Sequence, residues 1–535
     1  MTESVLAESA LIAKKELVQK LLQKNILLPP SLILQLDLSS VSALHKRLND
    51  PSLPQVSSSR DLIRVLRKDP QGLEDEAAKG HGHTHATSTA SIVVDIDDEA
   101  IRQRQCMQKG DFRVTVLSDY QEKPKRRDVG DFVSFFRERY IALEKILRFR
   151  QELQNVVSIS RLTQRKGKET VAIIGMVIEK SPPTKNTQSI ILTLEDLTGT
   201  IRVLFTKNKP EVYAQVKDVC EDEVVGILGM VGGSQEPIIF GNALVVPDVP
   251  LTKEFKKAPP DHPGLAAFIT DIHIGSRQFM QENFERFIKW IKGEAGNDAQ
   301  RDLAKKIKYL FVGGDLVDGV GIYPGQEDDL AIRDIYAQYQ RCAELIGEIP
   351  DNIKIIMIPG NHDAMRLNEP QPSLYRDICK PVWDIKNAIL VSNPSTINIH
   401  ATDTFGGFEV LLYHGYSFDY YVAHVESIRV NGGYERADLI MKYLLQRRHL
   451  APANTSTPLI PDPRRDPLVI ETVPDLFLTG HIHRVKVAAY RNVTLINGGC
   501  WQDVTAFQVK TGHNPEPCRV SVVDLQSREV RLLRF

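Results

Sequence analysis

Five places in this 535-residue chain put metal-competent side chains directly after an apolar run. Residues 265–270 lead into Asp271 and His273, and residues 309–314 into Asp315 and Asp318. Residues 355–360 lead into Asn361, His362 and Asp363, residues 410–413 into His414 and Gly415, and residues 476–480 into His481 and His483. Carboxylate, amide and imidazole donors without sulfur suit hard-to-borderline divalent ions such as Mn²⁺, Fe²⁺ or Zn²⁺. Two such ions about 3.5–4 Å apart, bridged by a carboxylate and a hydroxide, would polarise a phosphate and generate the attacking nucleophile. A lone Asp-x-His or His-x-His is ordinarily a surface accident. Five such endings in one domain point to a two-metal phosphoesterase, beginning near Leu265, that hydrolyses phosphate esters.

The elements that must hold these residues follow from the apolar patterning. Strand ends in an α/β sheet open into the ligand crevice. Asp271 and His273 are two apart, as are His481 and His483, and in extended backbone such pairs point the same way. Glycines at 313, 314, 360, 415 and 480 allow tight turns where backbone meets a ligand. Met280, Phe284, Phe287, Ile288 and Ile291 mark one helix, and Ile332, Ile335, Tyr336, Tyr339 and Ile346 another. Residues 251–535 are therefore expected to form a layered α/β domain.

Upstream, residues 166–250 are β-rich. Strands are expected over 171–178, 189–194 and 200–205, with a hairpin turn at 195–199, and near 223–231 and 237–246. Five short strands with a helical interruption near 209–219 fit an OB-fold barrel. Such barrels often stack bases on aromatics, but here Phe205 and Phe240 are the only strand aromatics. A protein-interaction role is as strongly indicated as DNA contact. Residues 111–165 read as a β/helical connector. Its amphipathic helix carries Phe132, Phe135, Phe136, Tyr140, Leu143 and Leu147 on one face, with Asp131 as N-cap. The basic cluster at 123–127 is taken as solvated charge. Residues 71–110 read as a flexible linker whose His81, His83 and His85 belong to a solvated low-complexity tract. Residues 1–70 read as a helical module with Leu17, Val18, Leu21 and Leu22 at helical spacing and Pro29-Pro30 ending the first helix. It is either a docking module or a simple cap.

Composition narrows the class. At 42% hydrophobic and 25% charged, the chain has ordinary globular composition. No apolar run approaches a membrane span, and the start lacks the pattern of a signal peptide. An intracellular, cytoplasmic protein without membrane attachment is expected. The six cysteines are scattered without a C-x-x-C pair, which argues for free thiols over a zinc knuckle or disulfide framework. With 67 basic and 68 acidic residues, the chain lacks the basic surplus of a protein that grips DNA alone. Any strong grip must come from local patches, metal ions or a partner. His45, His262, His400, His424, His449 and His513 are expected in surface or packing roles, and Trp290, Trp383 and Trp501 in core or interface. Tyr323 is the aromatic placed for substrate contact.

The five motifs resemble the calcineurin-like metallophosphoesterase superfamily. The likeness extends further, to the small subunit of the archaeal family D DNA polymerase. It rests on Gly313-Gly-Asp-Leu-Val-Asp-Gly-Val-Gly-Ile-Tyr-Pro-Gly325, Pro359-Gly-Asn-His-Asp-Ala364, Asn497-Gly-Gly-Cys-Trp-Gln502 and Gly512-His-Asn-Pro-Glu-Pro517. The resemblance covers most of the chain and is weakest over 71–110. It implies a helical N-terminus, an OB-fold and a phosphoesterase domain carrying 3′→5′ exonuclease activity on DNA. It also implies two divalent ions: Mn²⁺, with Fe²⁺, Zn²⁺ or Mg²⁺ as alternatives. By that resemblance Asp271, His273 and His483 hold the first ion, Asp315 bridges, and Asn361, His414 and His481 hold the second. His362 sits beside the phosphate, while Asp363 and Asp318 orient the ligands. The implied partners are a large catalytic polymerase subunit, DNA and, through the holoenzyme, a sliding clamp. Two readings remain open beside this one: a stand-alone phosphatase or phosphodiesterase, and a structural polymerase subunit with a vestigial site.

Overall fold

The computed structural model describes residues 113–121, 125–163, 169–183, 188–232, 237–505, 508–509 and 514–535. The expectations for the N-terminal helices, the linker, His45 and His513 lie outside these residues. Residues 125–136 and 461–464 fall in one compact unit and the other described residues in a second.

In the first unit the start of the helix Val129–Leu147 is described. Its cap differs from expectation. Asp131 lies in the first turn, and Asp128 just before the helix accepts its N–H at 3.1 Å while Asp131 accepts that of Asp128 at 3.1 Å. This is a reciprocal capping pair. The acidic residue that receives the helix N–H group is therefore three positions earlier than the apolar pattern suggested.

The second unit opens with β1 (Arg113–Asp119), followed by β2 (Thr170–Ser181), β3 (Ser189–Asp196), β4 (Gly199–Thr206), β5 (Val224–Gly232) and β6 (Ile238–Val245). Strands β2 to β6 close into a barrel in the order β2-β3-β4-β6-β5. The helix Pro210–Lys217 lies between β4 and β5 in the chain. Alternation places Ile190, Leu192 and Leu194 of β3 and Ile201, Val203 and Phe205 of β4 in the barrel core. Phe205 is 1% exposed and fills the interior, whereas Phe240 is 42% exposed. The barrel is joined to the C-terminal region through buried polar contacts. Arg447 Nε donates to Glu223 at 3.3 Å and Tyr443 Oη to the Asp218 carbonyl at 2.9 Å.

The C-terminal region contains β7 (Leu265–Ile269), β8 (Ile307–Val312), β9 (Lys354–Met357), β10 (Ala388–Leu390), β11 (Ser395–Ala401) and β12 (Phe408–Leu412). It continues with β13 (Leu476–Thr479), β14 (Lys486–Tyr490), β15 (Val493–Asn497), β16 (Arg519–Asp524) and β17 (Val530–Arg534). Two six-stranded sheets result, ordered β10-β9-β8-β7-β16-β17 and β1-β11-β12-β13-β15-β14. The N-terminal strand β1 thus forms the edge of a C-terminal sheet. Strands β7 to β10 are mutually parallel, as are β12, β13 and β15.

The sheets pack face to face with helices outside. Ala266 and Phe268 of β7, Tyr309 and Phe311 of β8, and Ile356 of β9 share one core with Phe408, Val410, Leu476 and Leu478 of the other sheet. Their strand neighbours Ala267, Ile269, Leu310, Val312 and Ile355 face the helices Gln281–Ile291 and Ile335–Ile346. The second sheet turns Leu411 and Phe477 toward the helices Phe418–His424 and Ala437–Arg447. Burial on both faces explains why these strands read as continuous apolar runs instead of alternating ones. The expected helix marked by Ile332 begins later, at Ile335, because the Asp334 side chain accepts the Ala337 N–H at 2.8 Å and starts it there. Trp290 and Trp501 are buried in this core, with Trp383 partly buried against it. Cys220, Cys342, Cys379, Cys500 and Cys518 are free thiols. Among the described residues no helix is long and apolar enough to cross a membrane.

Candidate metal centre

The five apolar runs end as β7 at Ile269, β8 at Val312, β9 at Met357, β12 at Leu412 and β13 at Thr479. Parallel pairing within each sheet puts these ends on common edges. The donor atoms then converge. Those of Asp271, His273 and His483 lie within 4.8 Å of one another, as do those of Asp271, Asp315 and His414. His273 Nε2 is 3.1 Å from His483 Nε2, and Asp271 Oδ1 is 3.5 Å from His483 Nε2. Asp315 Oδ2 stands between two groups, 3.9 Å from His273 Nε2 and 3.4 Å from His414 Nε2. On the far side, Asn361 Oδ1 is 2.9 Å from His414 Nε2 and 3.0 Å from His481 Nδ1.

The route by which the close pairs point together differs from the sequence argument. Asp271, His273, His481 and His483 are not extended: their φ values are +51°, +55°, +71° and +55°, and Asp315 has +50°. Left-handed backbone is costly for residues with a Cβ, and it concentrates where a site over-determines the conformation. Here backbone bonds fix it. Asp271 N donates to the Gly314 carbonyl at 3.0 Å and His273 N to that of Asp315 at 3.1 Å, while His481 N donates to the Asp271 carboxylate at 3.1 Å. Two glycines permit the closest approaches. A Cβ on Gly360 would lie 2.2 Å from Asp315 Oδ1, and one on Gly314, itself at φ +98°, would lie 2.6 Å from His414 Nδ1.

Three of the four imidazoles, those of His273, His414 and His481, are held by the nitrogen that faces away from the centre. His273 Nδ1 donates to Asp318 Oδ1 at 3.1 Å, His414 Nδ1 to the Gly313 carbonyl at 2.9 Å, and His481 Nε2 to Asp419 Oδ2 at 3.1 Å. In their neutral form these rings would turn lone pairs on His273 Nε2, His414 Nε2 and His481 Nδ1 toward the shared space, the tautomers a metal requires. Asp318 is itself held, with Gln502 Nε2 donating to Oδ1 and Gln326 Nε2 to Oδ2, both at 3.0 Å. Burial alone would lower His414, but the adjacent Asp315 carboxylate pushes it up to about 10. Burial would likewise raise Asp315, yet the neighbouring imidazoles, His414 foremost, hold it well below the usual carboxylate range. A proton on His414 thus offsets buried carboxylate charge where a cation would otherwise do so. The donor chemistry, the tautomers and this charge balance fit divalent metal ions.

His362 lies at the cleft beside this cluster, its ring centroid 4.6 Å from that of His273. Its N–H donates to Asp315 Oδ1 and its Nδ1 to the Asp318 carbonyl, both at 2.8 Å. Asp363 is not brought to the centre. It accepts from Gly360 N at 2.8 Å, Leu316 N at 3.3 Å and Tyr339 Oη at 3.0 Å, which pins the loop carrying Asn361 and His362. Burial, reinforced by Asp315, pushes its carboxyl up to about 7. Asp419, Gln326 and Gln502 escaped the residue-by-residue reading. Gln502 sat inside the 497–502 stretch, and Asp419 follows His414 by five residues. Neither spacing signals a contact that only folding creates. Tyr323 lines the cleft, together with Tyr416 and Tyr434. His400 and His449 are buried packing residues, and His424 stacks on Tyr420.

Paired sheets flanked by helices, with acidic and imidazole donors at the strand ends, define a calcineurin-like phosphoesterase, and residues 265–485 match that family. The chain is 40% identical over 428 residues to the DNA polymerase II small subunit of Methanothermobacter thermautotrophicus, spanning 79% of this chain and 83% of that protein. It belongs to the DNA polymerase II small-subunit family. Its counterpart from Archaeoglobus fulgidus is 39% identical over 406 residues, covering 76% of this chain and 77% of that protein. The one from Pyrococcus abyssi is 39% identical over 409 residues, of which this chain spans 63% of the length.

Proposed function

We propose that this chain is the nuclease-bearing small subunit of a DNA polymerase, removing nucleotides 3′→5′ from single-stranded DNA while a large partner subunit carries polymerisation. The observation that carries the reading is the complete donor set, Asp271, His273, Asp315, Asn361, His414, His481 and His483, gathered at one cleft in a polymerase-subunit family. In this reading Asp271, His273 and His483 would hold one divalent ion, Asn361, His414 and His481 a second, and Asp315 would serve both. Mn²⁺ is the favoured ion, with Fe²⁺, Zn²⁺ or Mg²⁺ as alternatives. When bound, the ions supply Lewis-acid polarisation of a phosphate and lower the pKa of a water.

The chain's own residues do the rest. With Nδ1 of His362 donating to the Asp318 carbonyl, Nε2 is the ring atom left to hold a proton for the leaving oxygen. Asp318 and Asp419 orient His273 and His481, and Asp363 orients the loop bearing His362. The closed five-stranded barrel, with its helix between β4 and β5, supports an OB-fold assignment. Its single exposed strand aromatic, Phe240, favours protein contact over base stacking. DNA, the large subunit and, through the holoenzyme, a sliding clamp are the proposed partners, and the cytoplasm the proposed compartment.

The test uses the full chain with Mn²⁺, alone and with the large subunit, on single strands labelled at either end. Stepwise loss from the 3′ end, stopped by chelation and restored by Mn²⁺, is expected. Absence of degradation in both preparations would refute the nuclease reading.

A further inference from the structure

The cleft beside the donor cluster measures about 410 Å³ and is walled unevenly. That volume lies within the range of about 300–1,000 Å³ typical of small-ligand clefts. Among the described residues no lysine or arginine lines it, and its charged side chains other than histidine are Asp315, Asp318 and Asp419. Three tyrosines, Tyr323, Tyr416 and Tyr434, also line it, each half-buried with part of its surface open. The Tyr416 ring centroid is 5.6 Å from that of His481. Tyr434 is hydrogen-bonded to Asp419, whose Oδ2 accepts from His481 Nε2 at 3.1 Å. Two aromatic side chains are therefore anchored to one proposed ligand, His481.

We infer that Tyr416 and Tyr434 form a stacking wall for the terminal base of the DNA strand. This rests on the nuclease reading above and names the residues that position its substrate. The terminal nucleotide brings an uncharged aromatic face into the cleft. Tyrosine rings take any base, because every base has a π-face, so the wall would be sequence-tolerant. The bond from Tyr434 to Asp419 ties the wall to the orientation of His481, so a seated base and a well-oriented imidazole favour each other.

The test pairs Tyr416→Ala and Tyr434→Ala with single strands ending in a normal or an abasic 3′ nucleotide. On the normal strand each alanine should raise KM about 5- to 150-fold, with a smaller change in kcat. On the abasic strand the variants and the parent should be nearly alike, and Tyr416→Phe should restore the parent KM. Equal losses on both strands would overturn the stacking role while leaving the nuclease reading intact. A second measurement is independent of hydrolysis. A strand ending in 2-aminopurine should be quenched on binding to the parent chain and not on binding to the double alanine variant. Binding to the parent without quenching, or no binding, would overturn the inference.

Discussion

Replacing Asp318 by asparagine tests whether the centre is held from behind as the hydrogen bonds indicate. Asp318 Oδ1 accepts from His273 Nδ1 at 3.1 Å and Gln502 Nε2 at 3.0 Å, and Oδ2 accepts from Gln326 Nε2 at 3.0 Å. An asparagine has one acceptor oxygen. If that oxygen keeps His273 and Gln502, the new NH₂ faces the NH₂ of Gln326. Gln326 cannot flip freely, because its Oε1 accepts the Ile322 N–H at 2.9 Å and its Nε2 also donates to the Asp318 carbonyl at 2.9 Å. The opposite rotamer abandons His273. Either way at least one buried donor loses its acceptor, and the charge that holds the Nδ1–H tautomer of His273 disappears. A lost hydrogen bond to a charged group costs about 1.5–3 kcal/mol. Loss of a carboxylate behind a ligating imidazole typically costs about 10- to 100-fold in metal affinity or activity. We therefore expect Asp318→Asn to weaken Mn²⁺ binding to one of two sites by about 10- to 100-fold, measured by calorimetric titration of the full chain. Cleavage should fall in parallel at limiting Mn²⁺ and recover partly at high Mn²⁺. Unchanged affinity at both sites would refute the claim that Asp318 positions His273.

Two further outcomes follow from the same geometry. His362→Ala should reduce hydrolysis about 10²- to 10⁴-fold while leaving Mn²⁺ affinity within a few-fold, because His362 is not a proposed ligand; parallel loss of both would make it one. The buried His449 makes stability depend on pH. Its Nδ1 accepts from Ala451 N at 2.9 Å and its Nε2 donates to Asp466 at 2.8 Å, so it is neutral in the fold. Burial, with Arg139 nearby, lowers its pKa to about 4, below the ordinary 6.5. The unfolded chain therefore binds the extra proton between these values, and stability is lost as pH falls from 6.5 toward 4. His449 alone contributes on the order of 3 kcal/mol to that loss. Asp466, held below the usual carboxylate range despite burial by Arg139, adds its loss only at more acidic pH. Denaturation midpoints of the parent chain should show the slope, and His449→Gln, which keeps a donor and an acceptor, should flatten it between pH 4 and 6.5. An unaltered slope would contradict the neutral assignment.

The strands were legible because their burial is two-sided. Residues 265–269 and 307–312 face helices with one set of side chains and the opposite sheet with the other, so they appear as unbroken apolar runs of strand length. The barrel strands were legible for the complementary reason, a clean alternation in β3 and β4. Helix starts were less legible. Asp128 and Asp334 do the capping at both corrected positions, and a cap is a side-chain bond to a particular N–H group, which apolar periodicity does not register. The expected extended geometry at Asp271, His273, His481 and His483 failed because left-handed backbone at a non-glycine is unfavourable locally. It persists through bonds to residues tens to hundreds of positions away.

The sequence by itself determined the donor set, its placement at five strand ends and the class of chemistry those donors can do. Residue type and local apolar patterning are short-range properties, and they survive reading without a fold. Only the tertiary structure decided which donors face one another, which imidazole nitrogen is left free, and what holds each ring. His273 and His483 are 210 positions apart in the chain and 3.1 Å apart in space. The acceptors Asp318, Gly313 and Asp419 act through contacts that exist only once two mixed sheets bring the ends of their parallel strands to one edge. The tyrosine wall belongs to the same category, since Tyr416 and Tyr434 meet the centre through helices and turns whose positions the packing of the second sheet sets.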